Sequence, residues 1–145
     1  MTPADRATLA RKLAYLQKNI ELLEPYRNIA VQSLVDEPKE LIVIERLLQT
    51  AIESVIDSSR HLVALEDLRR LRDERDALVI LEERGILPEG LGYRLQEAKR
   101  FRNILVHEYV EIKPELMLQN MQHGLADLRA FAVSMAKWME ENAKW

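Results

Sequence analysis

The chain has 145 residues, no cysteine, 48% hydrophobic and 31% charged residues, and a formal net charge of −3. This length suits a single domain, residues 1–145, with room for a buried core, and the absence of cysteine excludes disulfides and thiolate metal sites. The negative balance argues against nucleic-acid binding by the molecule as a whole. No apolar run approaches bilayer length, and Met1-Thr2-Pro3-Ala4-Asp5-Arg6 lacks a signal-peptide core. A cytoplasmic protein that makes no membrane contact is expected.

Thr2-Pro3-Ala4-Asp5 reads as a helix start, with Thr as N-cap, Pro at the first helical position and Asp three residues after the cap. Leu9, Leu13, Leu16, Ile20 and Leu23 follow at three- and four-residue spacing as one apolar stripe, and Pro25 should end or kink the helix near Glu24. A shorter helical piece, from about Arg27 to Val35, leads to a long helix from Lys39 to about Val63. Its apolar positions Leu41, Ile44, Leu48, Ala51, Ile52, Val55, Ile56 and Leu62 form a face wide enough for the centre of a bundle.

The next helix spans about Asp73 to Arg84 and stops at Gly85, which suits a C-terminal cap. Pro88 opens another, interrupted at Gly90 and Gly92, that runs into Arg102. Pro114 opens the last, with Leu116, Leu118, Met121, Leu125, Leu128, Phe131, Val133, Met135 and Trp138 as its apolar positions. Trp145 reads as a frayed terminal residue. No segment alternates like a strand, and no repeat or linker divides the chain. The expected fold is all-α, an antiparallel bundle of four to five helices.

The chemistry concentrates in Arg102-Asn103-Ile104-Leu105-Val106-His107-Glu108-Tyr109. A histidine titrates near neutrality, so His107 suits proton transfer during attack of a ribose 2′-OH on its phosphodiester. Arg102 offers a permanently charged donor fork to the phosphate oxygens. On an ideal helix Asn103 and His107 lie about 40° apart and share a face, so the amide can orient the imidazole. Arg102 and Tyr109 are about 20° from alignment, whereas Arg102 and His107 diverge by about 140°. Either the helix loosens after Val106, or the working site combines residues of two subunits.

Arg94, Lys99, Arg100 and Arg102 form a local basic patch leading into this segment, while Arg69-Arg70-Leu71-Arg72 reads as a solvated face. His61 and His123 lack Arg-Asn neighbours and read as structural. The three histidines show no metal-ligand spacing such as H-E-x-x-H, so neither metal nor cofactor is expected.

The pattern Arg-x4-His-x-Tyr resembles the signature of HEPN ribonucleases, and its Tyr two residues after His is most similar to the HepT toxins of prokaryotic toxin–antitoxin pairs. The likeness extends along the chain. Glu45-Arg46-Leu47-Leu48-Gln49-Thr50-Ala51-Ile52-Glu53, with Ile56-Asp57 and His61-Leu62, looks like that family's long second helix, and Leu81-Glu82-Glu83-Arg84-Gly85-Ile86-Leu87-Pro88 looks like its lead-in. The resemblance implies a HEPN homodimer and metal-independent RNA cleavage. It also implies an MNT-type nucleotidyltransferase antitoxin that silences the toxin by transferring AMP from ATP to Tyr109. It assigns Arg102 and His107 to catalysis, Asn103 to support and Tyr109 to regulation.

Two other readings compete. One is a non-catalytic helical partner, or substrate-binding subunit, of a nucleotidyltransferase, which the net negative charge favours. The other is a dimerisation bundle in which the motif only caps a helix. The intact Arg-Asn-x3-His-x-Tyr set favours the nuclease, because a pure partner would not need all three chemistries.

Overall fold

The computed structural model describes residues 2–70, 72–107 and 113–143. Helix α1 (Pro3–Leu23) starts as its sequence dictates. Thr2 Oγ1 accepts from the Asp5 N–H at 3.1 Å and the Asp5 carboxylate accepts from the Thr2 N–H at 3.0 Å, a complete capping box. Leu9, Leu16, Ile20 and Leu23 are fully buried, and Leu13 is half-buried against them. The chain then takes a 3-10 turn (Glu24–Tyr26) and the short α2 (Val31–Asp36), in place of a helix beginning at Arg27.

Helix α3 (Pro38–Leu65) is the centre of the bundle, packed against every other helix of the described chain. It runs antiparallel to α1. Lys12 pairs with Asp57 at one end, Thr50 Oγ1 donates to Asn19 Oδ1 at 2.8 Å in the middle, and the Tyr26 hydroxyl donates to Glu40 at 2.5 Å at the other end. The Asn19–Thr50 bond is buried, so two polar groups that would each be costly alone satisfy one another and fix the register of the pair.

Helix α4 (Ala77–Glu83) begins later than its sequence pattern implies. The Asp73 carboxylate accepts from both the side chain and the backbone N–H of Arg75, which closes residues 73–75 into a turn. Asp76 is the true N-cap, accepting from the Leu78 N–H at 2.9 Å. At the far end Gly85, with φ of +75°, sits where a left-handed residue is required, and the Ile86 N–H closes back on the Leu81 carbonyl at 2.9 Å. Helix α5 (Leu91–His107) starts after Gly90, whose φ is +85°, rather than at Pro88. Helix α6 (Pro114–Glu141) buries Met117, Leu118, Met121, Leu125, Leu128, Phe131, Met135 and Met139. Val133, 67% exposed, and Leu116 point to solvent instead of the core, while Trp138 packs against the core edge as expected. Its carboxyl end is tied to α1 by Arg6 Nη2, which donates to the Met139 carbonyl at 2.9 Å.

The result is all-α among the described residues: four long helices and two short ones. No helix among them is long and apolar enough to cross a membrane. Trp145 lies outside the described residues.

Candidate functional site

Helix α5 carries the motif, and its first half is fixed by α4 and α6. Leu91 and Leu95 are buried, and Arg94 Nε donates to Asp127 at 2.9 Å. Lys99 Nζ donates to Asp76 at 2.9 Å. Gly92 does not interrupt the helix. It is a point of close approach, because a Cβ there would fall 2.6 Å from the Leu78 carbonyl oxygen, and its N–H donates to Glu82 at 2.7 Å. Burial alone would raise the Asp76 carboxyl, but the Lys99 ammonium and the Leu78 N–H outweigh it and hold that carboxyl below its ordinary value.

Arg102 lies in the second half and faces α3. Its side chain is only 20% exposed, and Nη1 is 3.7 Å from the Glu53 carboxylate, an ion pair too long to be a hydrogen bond. Arg102 Nε is buried and has no acceptor among the described residues. Glu53 is itself steadied by Gln49 Nε2 at 3.2 Å. A guanidinium held this way keeps unsatisfied donors, a state that is costly unless a ligand supplies the acceptors. Asn103 is exposed beside it. Helix α5 remains helical to its last residue, His107, so the backbone keeps Arg102 and His107 at the divergent bearing expected of an ideal helix. The His107 side chain and Tyr109 lie outside the described residues.

The basic patch expected ahead of the motif is not a free one. Arg94 pairs with Asp127, Lys99 with Asp76, Arg100 with Glu97 and Arg102 with Glu53. Arg69, Arg70 and Arg72 lie in the loop before α4, where Arg69 donates to the Asp73 and Arg75 carbonyls and Arg70 pairs with Glu83. His61 is half-buried, its Nε2 without a hydrogen-bond partner among the described residues, and His123 is exposed.

Two features have no local signal in the sequence. Glu53 is the first, since nothing near it in the chain marks it as a partner of Arg102. The second is a cavity of about 460 Å³ between α3, α5 and α6, with Leu48, Ile52 and Phe101 inside and Asn120, His123 and Asp127 along its rim. Among the described residues no group of three His, Asp or Glu side chains gathers at a spacing that would hold a metal ion.

A family model described as "Ribonuclease HepT-like" matches residues 16–135, which takes in all the helices named above except residues 3–15 of α1 and 136–141 of α6. The chain belongs to the HepT-like ribonuclease family. A curated relative, the mRNA nuclease HepT of Shewanella oneidensis, is 29% identical over 60 residues, which are 41% of this chain and 45% of that protein. The chain therefore aligns with less than half the length of that relative.

Solved structures extend the likeness across the fold. The tri-AMPylated Shewanella oneidensis HEPN toxin, in its complex with the MNT antitoxin, superposes with a TM-score of 0.76 at 20% identity, over 94% of this chain and 99% of that one. YutE of Bacillus subtilis, a cytosolic protein of unknown function, gives 0.78 at 20% identity, over 95% and 92%. At such identities the superpositions establish the HEPN fold, and the HepT-like family assignment rests on the sequence model.

Proposed function

We propose that this HepT-like chain is the toxin of a toxin–antitoxin pair, a metal-independent endoribonuclease acting in the cytoplasm as a homodimer. The observation that carries this reading is Arg102. It is a mostly buried guanidinium with spare donors, five residues before His107 at the end of the same helix, in a chain of a ribonuclease family.

In the proposed reaction His107 removes the proton from a ribose 2′-OH. The 2′ oxygen forms a bond to phosphorus as the bond from phosphorus to the 5′ oxygen breaks, leaving a cyclic phosphate and a 5′ alkoxide. Arg102 binds the non-bridging oxygens as their charge grows. The alkoxide needs a proton, and one histidine cannot be base and acid in a single step. A dimer that brings His107 of the partner subunit into the same cleft supplies it, and also answers the divergence of Arg102 and His107 along one helix. Asn103, four residues before His107, orients the imidazole.

Control follows from Tyr109. The phenol oxygen attacks the α-phosphorus of ATP on an MNT-type nucleotidyltransferase and pyrophosphate leaves, so AMP is added to the tyrosine. The added phosphate carries negative charge seven residues along the motif from Arg102 and competes with RNA for the guanidinium. The Shewanella oneidensis toxin of the same fold, tri-AMPylated in its complex with an MNT antitoxin, is the precedent.

Intact mass spectrometry of the chain alone and after incubation with the nucleotidyltransferase and ATP, with cleavage assays in chelator, tests the reading. AMP additions mapped to Tyr109 with loss of chelator-resistant cleavage are expected, and Tyr109→Phe should cleave RNA but escape silencing. Absence of both mass change and cleavage would favour a non-catalytic partner of a nucleotidyltransferase.

A further inference from the structure

The outward faces of α1 and α3 enclose a groove of about 550 Å³, lined by Arg11, Lys12, Tyr15, Arg46, Glu53 and Asp57 among others. Its floor is polar and internally satisfied, with Ser54 Oγ donating to the Thr50 carbonyl and Thr50 to Asn19. Lys12 is neutralised by Asp57, and Glu53 turns its carboxylate to Arg102. Arg11 and Arg46 are exposed, and among the described residues no carboxylate lies within ion-pair distance of either; Arg11 only donates to Thr8 Oγ1. Lys18 follows Arg11 by seven residues on the same exposed stripe of α1. Tyr15 stands between them, 52% exposed.

Arg94, Lys99, Arg100 and Arg102 of α5 are each paired with a carboxylate, whereas Arg11 and Arg46 of the α1–α3 groove have none at ion-pair distance among the described residues. Glu53 belongs both to that groove and to the Arg102 ion pair, so one carboxylate links the groove to the motif arginine. From Arg46 to Glu53 is seven residues, about 10 Å along the helix axis. Two uncompensated guanidinium groups flanking an exposed aromatic ring fit a strand whose phosphates and bases are both available, which means single-stranded rather than duplex RNA.

We propose that this groove is the approach track for single-stranded RNA. Arg11 and Arg46 hold phosphates, Tyr15 stacks a base, and the strand passes Glu53 to present its next phosphodiester to Arg102. The proposal rests on the ribonuclease reading above. Exposed Leu22, Ile42 and Val43 lie farther along the same face, so a second copy of the chain is the rival occupant that the experiment must exclude.

The test is fluorescence anisotropy with a short fluorescein-labelled single-stranded RNA whose riboses are 2′-O-methylated, which removes the 2′ nucleophile. It is run over a range of salt concentrations, with kcat/KM measured on unmodified RNA and oligomeric mass by light scattering. The double variant Arg11→Ala, Arg46→Ala should weaken binding at least about tenfold, lower kcat/KM by the same factor, and reduce the salt slope by about 1.4, because each phosphate no longer neutralised removes about 0.7. Tyr15→Ala should weaken binding about fivefold or more, with Tyr15→Phe retaining it. Lys137→Ala, on the far end of α6, serves as the charge control and should leave both values unchanged.

If wild type cleaves RNA while the double variant keeps its affinity, salt slope and kcat/KM, the track lies elsewhere and the ribonuclease reading stands. If the double variant changes oligomeric mass with RNA affinity intact, the groove is a subunit interface and the proposal is overturned. If wild type neither binds nor cleaves RNA, the ribonuclease reading falls and the track with it.

Discussion

In the first half of α5, Leu91 and Leu95 are buried, Gly92 sits against the α4 backbone, and Arg94 and Lys99 each reach a carboxylate at 2.9 Å. In the second half, Arg102 has one ion pair at 3.7 Å and a buried Nε without an acceptor among the described residues, and Asn103 and Ile104 face solvent. One helix therefore has a satisfied half that sets its position and an unsatisfied half that it positions. A buried donor left without a partner is retained against a stability cost, which is the expected mark of a place where a ligand completes the structure. Substitutions in the first half should therefore cost stability, and substitutions in the second should cost activity.

The largest effects belong to the second half. His107→Ala should slow RNA cleavage by about 10²–10⁴-fold, the usual worth of a positioned acid or base. Arg102→Ala should slow it by about 10²–10³-fold, and Arg102→Lys should recover little because an ammonium lacks the planar fork. Thermal unfolding followed by circular dichroism should show little loss for Arg102→Ala, since removing a half-satisfied buried charge relieves as much as it forfeits. A large drop in melting temperature would place Arg102 among the scaffold residues and erase the contrast.

Gly92→Ala tests the first half. The new Cβ would lie 2.6 Å from the Leu78 carbonyl oxygen, which is backbone and cannot swing aside, and the Gly92 N–H bond to Glu82 would be strained as α4 and α5 part. Urea unfolding should show a loss of about 1–3 kcal/mol, the range for overpacking a tight site. Unchanged stability would mean that α4 does not clamp α5.

Much of this architecture is legible in the sequence. The Thr2-Pro3-Asp5 start, the α3 stripe and the Gly85 cap each depend on neighbours within a few residues, and each is present in the fold. The start of α4 is harder to place: the sequence pattern begins at about Asp73, but Arg75 takes the Asp73 carboxylate and Asp76 caps the helix. Val133 and Leu116 look like core residues because an apolar residue on a broad stripe does not show which edge of the stripe meets a neighbour. For the site, the Arg102–His107 spacing is local and visible. The pairing of Arg94 with Asp127, Lys99 with Asp76 and Arg102 with Glu53 joins distant parts of the chain, so the apparent basic patch dissolves only once the helices are packed.

A smaller effect is expected at Asp76, which links both ideas by capping α4 and holding Lys99 of α5. Asp76→Ala should cost about 1 kcal/mol near neutral pH, mostly the lost cap. Its carboxyl is held below the ordinary value in the folded chain, so the ionised form favours folding above the unfolded value of about 3.9. That contribution is lost as pH falls through the lower folded value. The stability gap between wild type and variant should be constant from about pH 5 to about pH 8, above the value of about 3.9 for the free group, and should narrow below it. A gap that widened in acid would contradict the assigned direction.

The smallest effect separates two roles for Glu53. If its carboxylate is mainly a counter-charge that occupies Arg102 until RNA arrives, Glu53→Gln removes a negative charge from the strand's path while preserving shape. At a separation near 4 Å and in solvent-like dielectric, one charge is worth about 1 kcal/mol before screening. Because Glu53 is partly exposed, only part of that should survive, and affinity for the methylated RNA should rise about twofold at low salt and not at all at high salt. If Glu53 instead aims the guanidinium, the same variant should bind RNA less well at every salt concentration, because a neutral amide holds a guanidinium more weakly than a carboxylate does. The sign of the change at low salt, together with its persistence at high salt, decides whether the unsatisfied half of α5 is held in reserve by Glu53 or held in place by it.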